Sequence, residues 1–139
     1  MYTILMEKWK SKNRHKYLLQ YHVIFVCKYR KKLLSGKQVS DDIKQLSYEI
    51  CQKHCITIKY METNKDHIHY MIETEPTMSI SKAVNLIKSY TTYHIWQRHP
   101  YYLRKHFWKE NTFWTDGYFA CSVGNVSEQM LKEYIENQG

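Results

Sequence analysis

Residues 59–73 (KYMETNKDHIHYMIE) restrict the fold of this chain more than any other stretch. Two apolar runs flank a short polar turn, Thr63 to Asp66, which is the pattern of a β-hairpin. Strand residues two apart share a face, so His67 and His69 project side by side while Ile68, Tyr70 and Ile72 point the other way. Two neutral imidazoles held a few ångströms apart make half of a divalent-metal site. Two surface histidines on a half-exposed strand would show the same spacing, so the rest of the chain must decide.

Upstream, residues 1–16 are polar and basic and read as a loose arm. Residues 17–26 (YLLQYHVIFV) form an apolar, β-branched and aromatic run without Gly or Pro, which predicts a buried strand. That strand delivers Lys28, Tyr29, Arg30, Lys31 and Lys32, a basic cluster containing an aromatic. Ser40 is the expected N-cap of a helix, with Asp41 and Asp42 favouring its dipole and Ile43, Leu46, Ser47, Ile50 and His54 at helical spacing. After the hairpin, Thr77 or Ser79 caps a second helix. Ile80, Val84, Ile87, Thr91 and Ile95 make its inner stripe, Lys82, Lys88 and Arg98 sit at outer positions, and it stops before Pro100. Residues 100–116 read as aromatic and irregular, and residues 118–123 as a fourth strand. Gly124-Asn125 breaks that strand, and Ser127 caps a final helix running to about Gln138. The order β-α-β-β-α-β plus a terminal helix is an α+β plan, ferredoxin-like or RRM-like. It has one four-stranded antiparallel sheet with helices on one face, and the histidine pair falls on a central strand.

A chain of 139 residues makes one domain, 1–139. Its formal charge is +8. Ten of its 21 Lys and Arg residues fall within the first 37 positions against Glu7 alone, so the remainder is close to neutral. Charge concentrated in this way is the footprint of a polyanion-binding protein, or of a solvated basic tail. No apolar run is long enough for a membrane span, and Met1 to Met6 is too short to serve as the apolar part of a secretory signal. Cys27, Cys51, Cys55 and Cys121 lack the pairing of a zinc ribbon; Cys51 and Cys55 read as core or face residues of the first helix. A reducing cytoplasm is the expected location.

The last helix carries Tyr134 and Gln138 four apart on one stripe, with Leu131 and Ile135 on its docking side. Alone, such a tyrosine would pack its ring on the sheet. In combination the motifs resemble one family. Asp66-His67-Ile68-His69 resembles the HUH motif, and Tyr134 to Gln138 resembles the catalytic helix of the single-tyrosine transposases. The run from Tyr21 to Lys32 is similar to that family's opening strand and basic turn. Residues 113–119 with Ser122-Val123-Gly124 are similar to its fourth strand. The family is the TnpA type of small insertion sequences that move as single-stranded DNA, and the likeness spans most of residues 17–138. Its members usually continue past the glutamine, whereas this chain stops at Gly139.

The resemblance implies a ligand set of His67, His69 and Gln138 for Mg2+ or Mn2+. It implies Tyr134 as the nucleophile that forms a 5′-phosphotyrosine and frees a 3′-hydroxyl, with no ATP or other nucleotide cofactor. It also implies single-stranded DNA with hairpin ends as substrate, and a homodimer in which the tyrosine helix of one subunit, residues 126–138, can complete the other's site. Gly124-Asn125 would let that helix swing. Lys28, Arg30, Lys31 and Lys32 are the expected phosphate contacts, and Tyr29, Trp108 and Trp114 could stack bases, although each aromatic reads equally well as core. The alternatives are a domesticated nickase or relaxase-like protein acting on repeated palindromes, and a non-catalytic single-strand-binding module. The Gly-Phe-Gly-Phe type strand of an RRM is absent. A structural zinc protein would want four ligands at closed spacing.

Overall fold

The computed structural model describes residues 10–12, 15–123 and 128–138. Within them β3 (Gln20–Val26), β4 (Thr57–Thr63), β5 (His67–Glu73) and β6 (Phe119–Ser122) form one sheet in the order β4-β5-β3-β6, antiparallel throughout. This is the expected ferredoxin-like topology, with β3 and β5 in the middle. Helices α1 (Lys37–Lys53) and α2 (Ile80–Arg98) cover one face. Alternation along each strand builds that core: Val23 and Phe25 of β3 and Ile68, Tyr70 and Ile72 of β5 meet Ile43, Leu46 and Ile50 of α1 and Val84 and Ile87 of α2. The Tyr70 hydroxyl is fully buried but satisfied, 2.8 Å from Ser47 Oγ, which lies 2.8 Å from the Ile43 carbonyl. No described helix is long and apolar enough to cross a membrane.

Several expectations change. Within the supposed loose arm, β1 (Lys10–Lys12) pairs with β2 (His15–Tyr17) as a two-stranded hairpin; the segment is polar on both sides and so carries no alternation to read. Helix α1 starts one turn before Ser40, with Gly36 at its N-cap. Ser40 is buried in the helix and shares a hydrogen bond with Thr63 of β4. Asp42 faces the end of α2, 2.6 Å from His99 Nε2 and 3.3 Å from Arg98 Nη1. Ser79, rather than Thr77, caps α2, accepting from the Lys82 amide at 3.1 Å. Pro100 does end α2, but it also opens a short helix, α3 (Pro100–Arg104), because proline's fixed φ suits the first helical position.

The aromatic segment then turns inward. Trp114 is 4% exposed, bridges to Cys27, packs edge-on against Phe25 and donates its indole N–H to Thr91 Oγ1 at 3.0 Å. Trp114 is therefore core and not a base-stacking platform. Lys88 is not an outer residue either. Its ammonium donates to the carbonyls of Thr115, Asp116 and Gly117 at 2.7, 3.2 and 2.7 Å and holds the loop that enters β6. Burial lowers its pKa, the Asp116 carboxylate opposes that shift, and Lys28 adds to it. Helix α4 (Glu128–Glu136) closes the described chain; Gly124-Asn125 and Ser127 lie outside the described residues, as does the side chain of Leu131.

Candidate metal and tyrosine site

The site lies on the sheet face opposite α1 and α2. Register sets its members: Val26 pairs with His67, Ile24 with His69, Glu62 with His69, and Ile24 with Phe119. Directly opposed residues of an antiparallel pair share a face, so the two histidines stand with Glu62, Tyr60, His22 and Phe119 around Ile24 and Val26. A register irregularity between Ile58 and Tyr60 keeps Tyr60 and Glu62 on this face.

Each histidine is held by a neighbour. His67 Nδ1 lies 2.8 Å from Asp66 Oδ1. That bond favours the tautomer with the proton on Nδ1 and leaves Nε2 as a free ligand nitrogen. Burial would raise the Asp66 pKa, but the bonds and charges of His67 and Arg30 outweigh it and hold the carboxyl below its usual range. His69 Nε2 lies 2.9 Å from His22 Nδ1, and its ring meets the Tyr60 ring edge-on at 5.7 Å. Half-burial lowers the His69 pKa and the nearby His22 and His67 add to this, while Glu62 opposes it; the net direction keeps the ring neutral, as a ligand must be. The donor chemistry fits a divalent ion. No three of His, Cys, Asp and Glu converge on a metal position among the described residues. The pair therefore needs another donor, for which a neutral amide such as that of Gln138 is suited.

Helix α4 brings Tyr134 to the same face. Its ring centroid is 5.5 Å from that of Phe119. Its hydroxyl is buried, has no hydrogen-bond partner among the described residues, and lies 4.0 Å from where a Cβ on Gly117 would sit. Burial raises its pKa, so the hydroxyl is protonated here. Gln138 is half-buried just beyond the helix, its backbone N–H donating to the Ile135 carbonyl at 3.2 Å. Among the described residues no hydrogen bond joins Tyr134 or Gln138 to either histidine.

The four basic residues separate in role. Lys32 is exposed, Lys31 lies over the Phe107 ring at 5.9 Å, and Lys28 pairs with the exposed Asp116 at 3.6 Å. Arg30 instead turns inward to Asp66. Tyr29 is half-exposed with its hydroxyl 3.2 Å from Glu110, and Trp108 is 83% exposed. Sequence reasoning missed His22, Glu62 and the supporting role of Asp66. The His22–His69 contact joins positions 47 apart and is visible only once the strand register is known.

The IS200-like transposase family model matches residues 15–138 of this chain. The chain belongs to that family. This IS200-like transposase is 28% identical over 137 residues to the ISDra2 transposase TnpA of Deinococcus radiodurans, covering 99% of this chain and 96% of that relative. It is 25% identical over 129 residues to the transposase of insertion sequence IS200 of Salmonella typhimurium, covering 93% and 82%. A solved Deinococcus radiodurans structure described as a candidate transposase superposes with a TM-score of 0.85 at 25% identity, covering 93% of this chain and 97% of that one. A REP-associated tyrosine transposase bound to a REP hairpin shares the fold at a TM-score of 0.55 and 11% identity, covering 91% and 69%. The protein is thus a DNA transposase.

Proposed function

We propose that this IS200-like transposase cleaves and rejoins single-stranded DNA at the ends of an insertion sequence, with Tyr134 as the nucleophile and His67, His69 and Gln138 as ligands of Mg2+ or Mn2+. The observation that carries this reading is the shared face: the histidine pair on a central strand and the tyrosine helix both occupy the side of the sheet that α1 and α2 leave open.

In the proposed reaction the Tyr134 phenolic oxygen attacks the scissile phosphorus. The new O–P bond replaces the P–O3′ bond, the phenolic proton passes to solvent, and the departing 3′-oxygen takes up a proton. A 5′-phosphotyrosine and a free 3′-hydroxyl result. A later 3′-hydroxyl reverses the exchange, restoring the tyrosine without ATP. An ion held there would supply Lewis-acid polarisation of the phosphate. Asp66 fixes the His67 tautomer, and His22 orients the His69 ring. Lys28, Lys31 and Lys32 neutralise DNA phosphates, with Tyr29 and Trp108 available for unpaired bases.

With its hydroxyl buried and, among the described residues, without a hydrogen-bond partner, Tyr134 is not poised to attack, so α4 shifts before reaction. In a homodimer it could do so by completing the partner's site. DNA hairpins at the element's ends are the proposed recognition feature, supported by the hairpin-bound neighbour of the same fold. The cytoplasm, away from membranes, is the proposed location.

A labelled oligonucleotide carrying an end hairpin tests the substrate. Cleavage is expected of the single strand, with Mg2+ or Mn2+, and not of the same sequence as duplex. Equal cleavage of duplex, or cleavage that survives chelation, would contradict the reading.

A further inference from the structure

We propose that Arg30 is a positioning residue that latches the C-terminal end of the tyrosine helix to the Asp66–His67 pair. Its guanidinium spans two elements: Nε donates to Asp66 Oδ2 at 3.4 Å, and Nη1 donates to the carbonyl of Glu136, the last residue of α4, at 3.2 Å. The other Asp66 oxygen engages His67 Nδ1 at 2.8 Å. One carboxylate therefore faces the histidine on one side and, through Arg30, the helix on the other.

The local chain is shaped for this. Tyr29 and Arg30 both adopt left-handed backbone conformations, with φ of 59° and 52°. Such values are uncommon for residues other than glycine and persist only where the surroundings enforce them. Here the enforcing bonds are Arg30 N–H to the Cys27 carbonyl at 2.8 Å, Cys27 N–H to the Asp66 carbonyl at 2.8 Å and Lys28 N–H to the Phe113 carbonyl at 2.9 Å. The turn that carries Lys28, Lys31 and Lys32 thus sets the Arg30 guanidinium against Asp66 and the end of α4.

The last carbonyls of a helix lack intrahelical partners and carry partial negative charge, so a cation there is favourable. Only arginine has a planar fork able to serve a carboxylate and a carbonyl together; the compact lysine ammonium is a point donor. Helix docking and the orientation of the His67 ring are therefore coupled, and any change in one biases the other. The coupling to metal chemistry rests on the reading of His67 as a ligand; the latch itself does not.

Arg30→Lys in the free, metal-free protein tests the latch. The charge is kept, so the salt dependence of DNA binding should not change. Millisecond hydrogen exchange of α4 amides should accelerate about fivefold, the scale of one lost hydrogen bond. The 15N shifts of His67 should show a smaller fraction protonated on Nδ1. Asp66→Asn, a second variant, should loosen α4 in the same way. An unchanged melting temperature checks that the fold is intact. If α4 exchange stays at the wild-type rate, or α4 loosens while the His67 tautomer does not move, the coupling is wrong. Loss of DNA affinity alone would leave Arg30 a phosphate contact. Should the wild-type protein form no covalent DNA adduct while Arg30→Lys still shifts both readouts, the latch stands and the transposition chemistry falls.

Discussion

Replacing His69 with alanine should lower metal-dependent strand cleavage by about 10³-fold or more, since a Lewis acid contributes several kcal/mol and each 1.36 kcal/mol is tenfold in rate. The residue sits on a central strand of the sheet, held between His22 and the Tyr60 ring, and its environment keeps the imidazole neutral. Losing it removes one of only two imidazoles on the proposed ligand set. The fold should survive, because His69 lies outside the core packed by α1 and α2. Single-turnover cleavage at saturating metal, with the melting temperature measured alongside, separates the two effects. A rate within about threefold of wild type would mean that the pair does not carry the metal.

Trp114→Ala should be the most damaging single change to stability, at about 3–5 kcal/mol. The indole packs edge-on against Phe25 and Phe113 and bonds Thr91 of α2, so its removal leaves a cavity in the core. Its N–H to Thr91 is lost as well, although Thr91 keeps its bond to the Ile87 carbonyl at 2.7 Å. Trp108, only six residues earlier, is 83% exposed, and its truncation should cost about 0.5 kcal/mol or less. Urea unfolding of the two variants reads the contrast directly, and similar midpoints for both would contradict the core assignment of Trp114.

That pair of tryptophans marks what the sequence could and could not tell. Strands are read by period-two alternation, and β5 obeys it from His67 to Ile72, so the face of His67 and His69 was legible together with the central place of their strand. The inner stripe of α2 was legible from its helical spacing, whereas its cap was narrowed only to Thr77 or Ser79, of which Ser79 holds the position. Where nothing alternates, periodicity is silent. Residues 107–116 hold two tryptophans with no pattern to rank them, and only Thr91, Cys27 and Phe25, brought together by the fold, decide that Trp114 is the buried one.

Ser40 failed as a cap because its partner, Thr63, lies on another element. Lys88 was placed at an outer position because its three backbone carbonyl partners leave no trace in side-chain composition. Arg30 was hidden among like charges. Its inward turn depends on two left-handed residues that no propensity would assign to Tyr-Arg. The candidate site was pointed to in part: strand spacing and motif resemblance picked out the histidines and Tyr134, while the contacts of Asp66, His22 and Arg30 with His67, His69 and α4 depend on strand register and turn geometry.

In the proposed chemistry Tyr134 becomes covalently joined to DNA. The direct measurement is to incubate the full chain with a single-stranded oligonucleotide carrying an end hairpin and Mg2+ or Mn2+, then separate the mixture on a denaturing protein gel. A shifted, metal-dependent protein–DNA band is expected from the wild-type chain and should vanish in Tyr134→Phe, which keeps the ring against Phe119 and removes only the hydroxyl. A band that persists in Tyr134→Phe, or hairpin binding with no covalent band in either metal, would contradict the account.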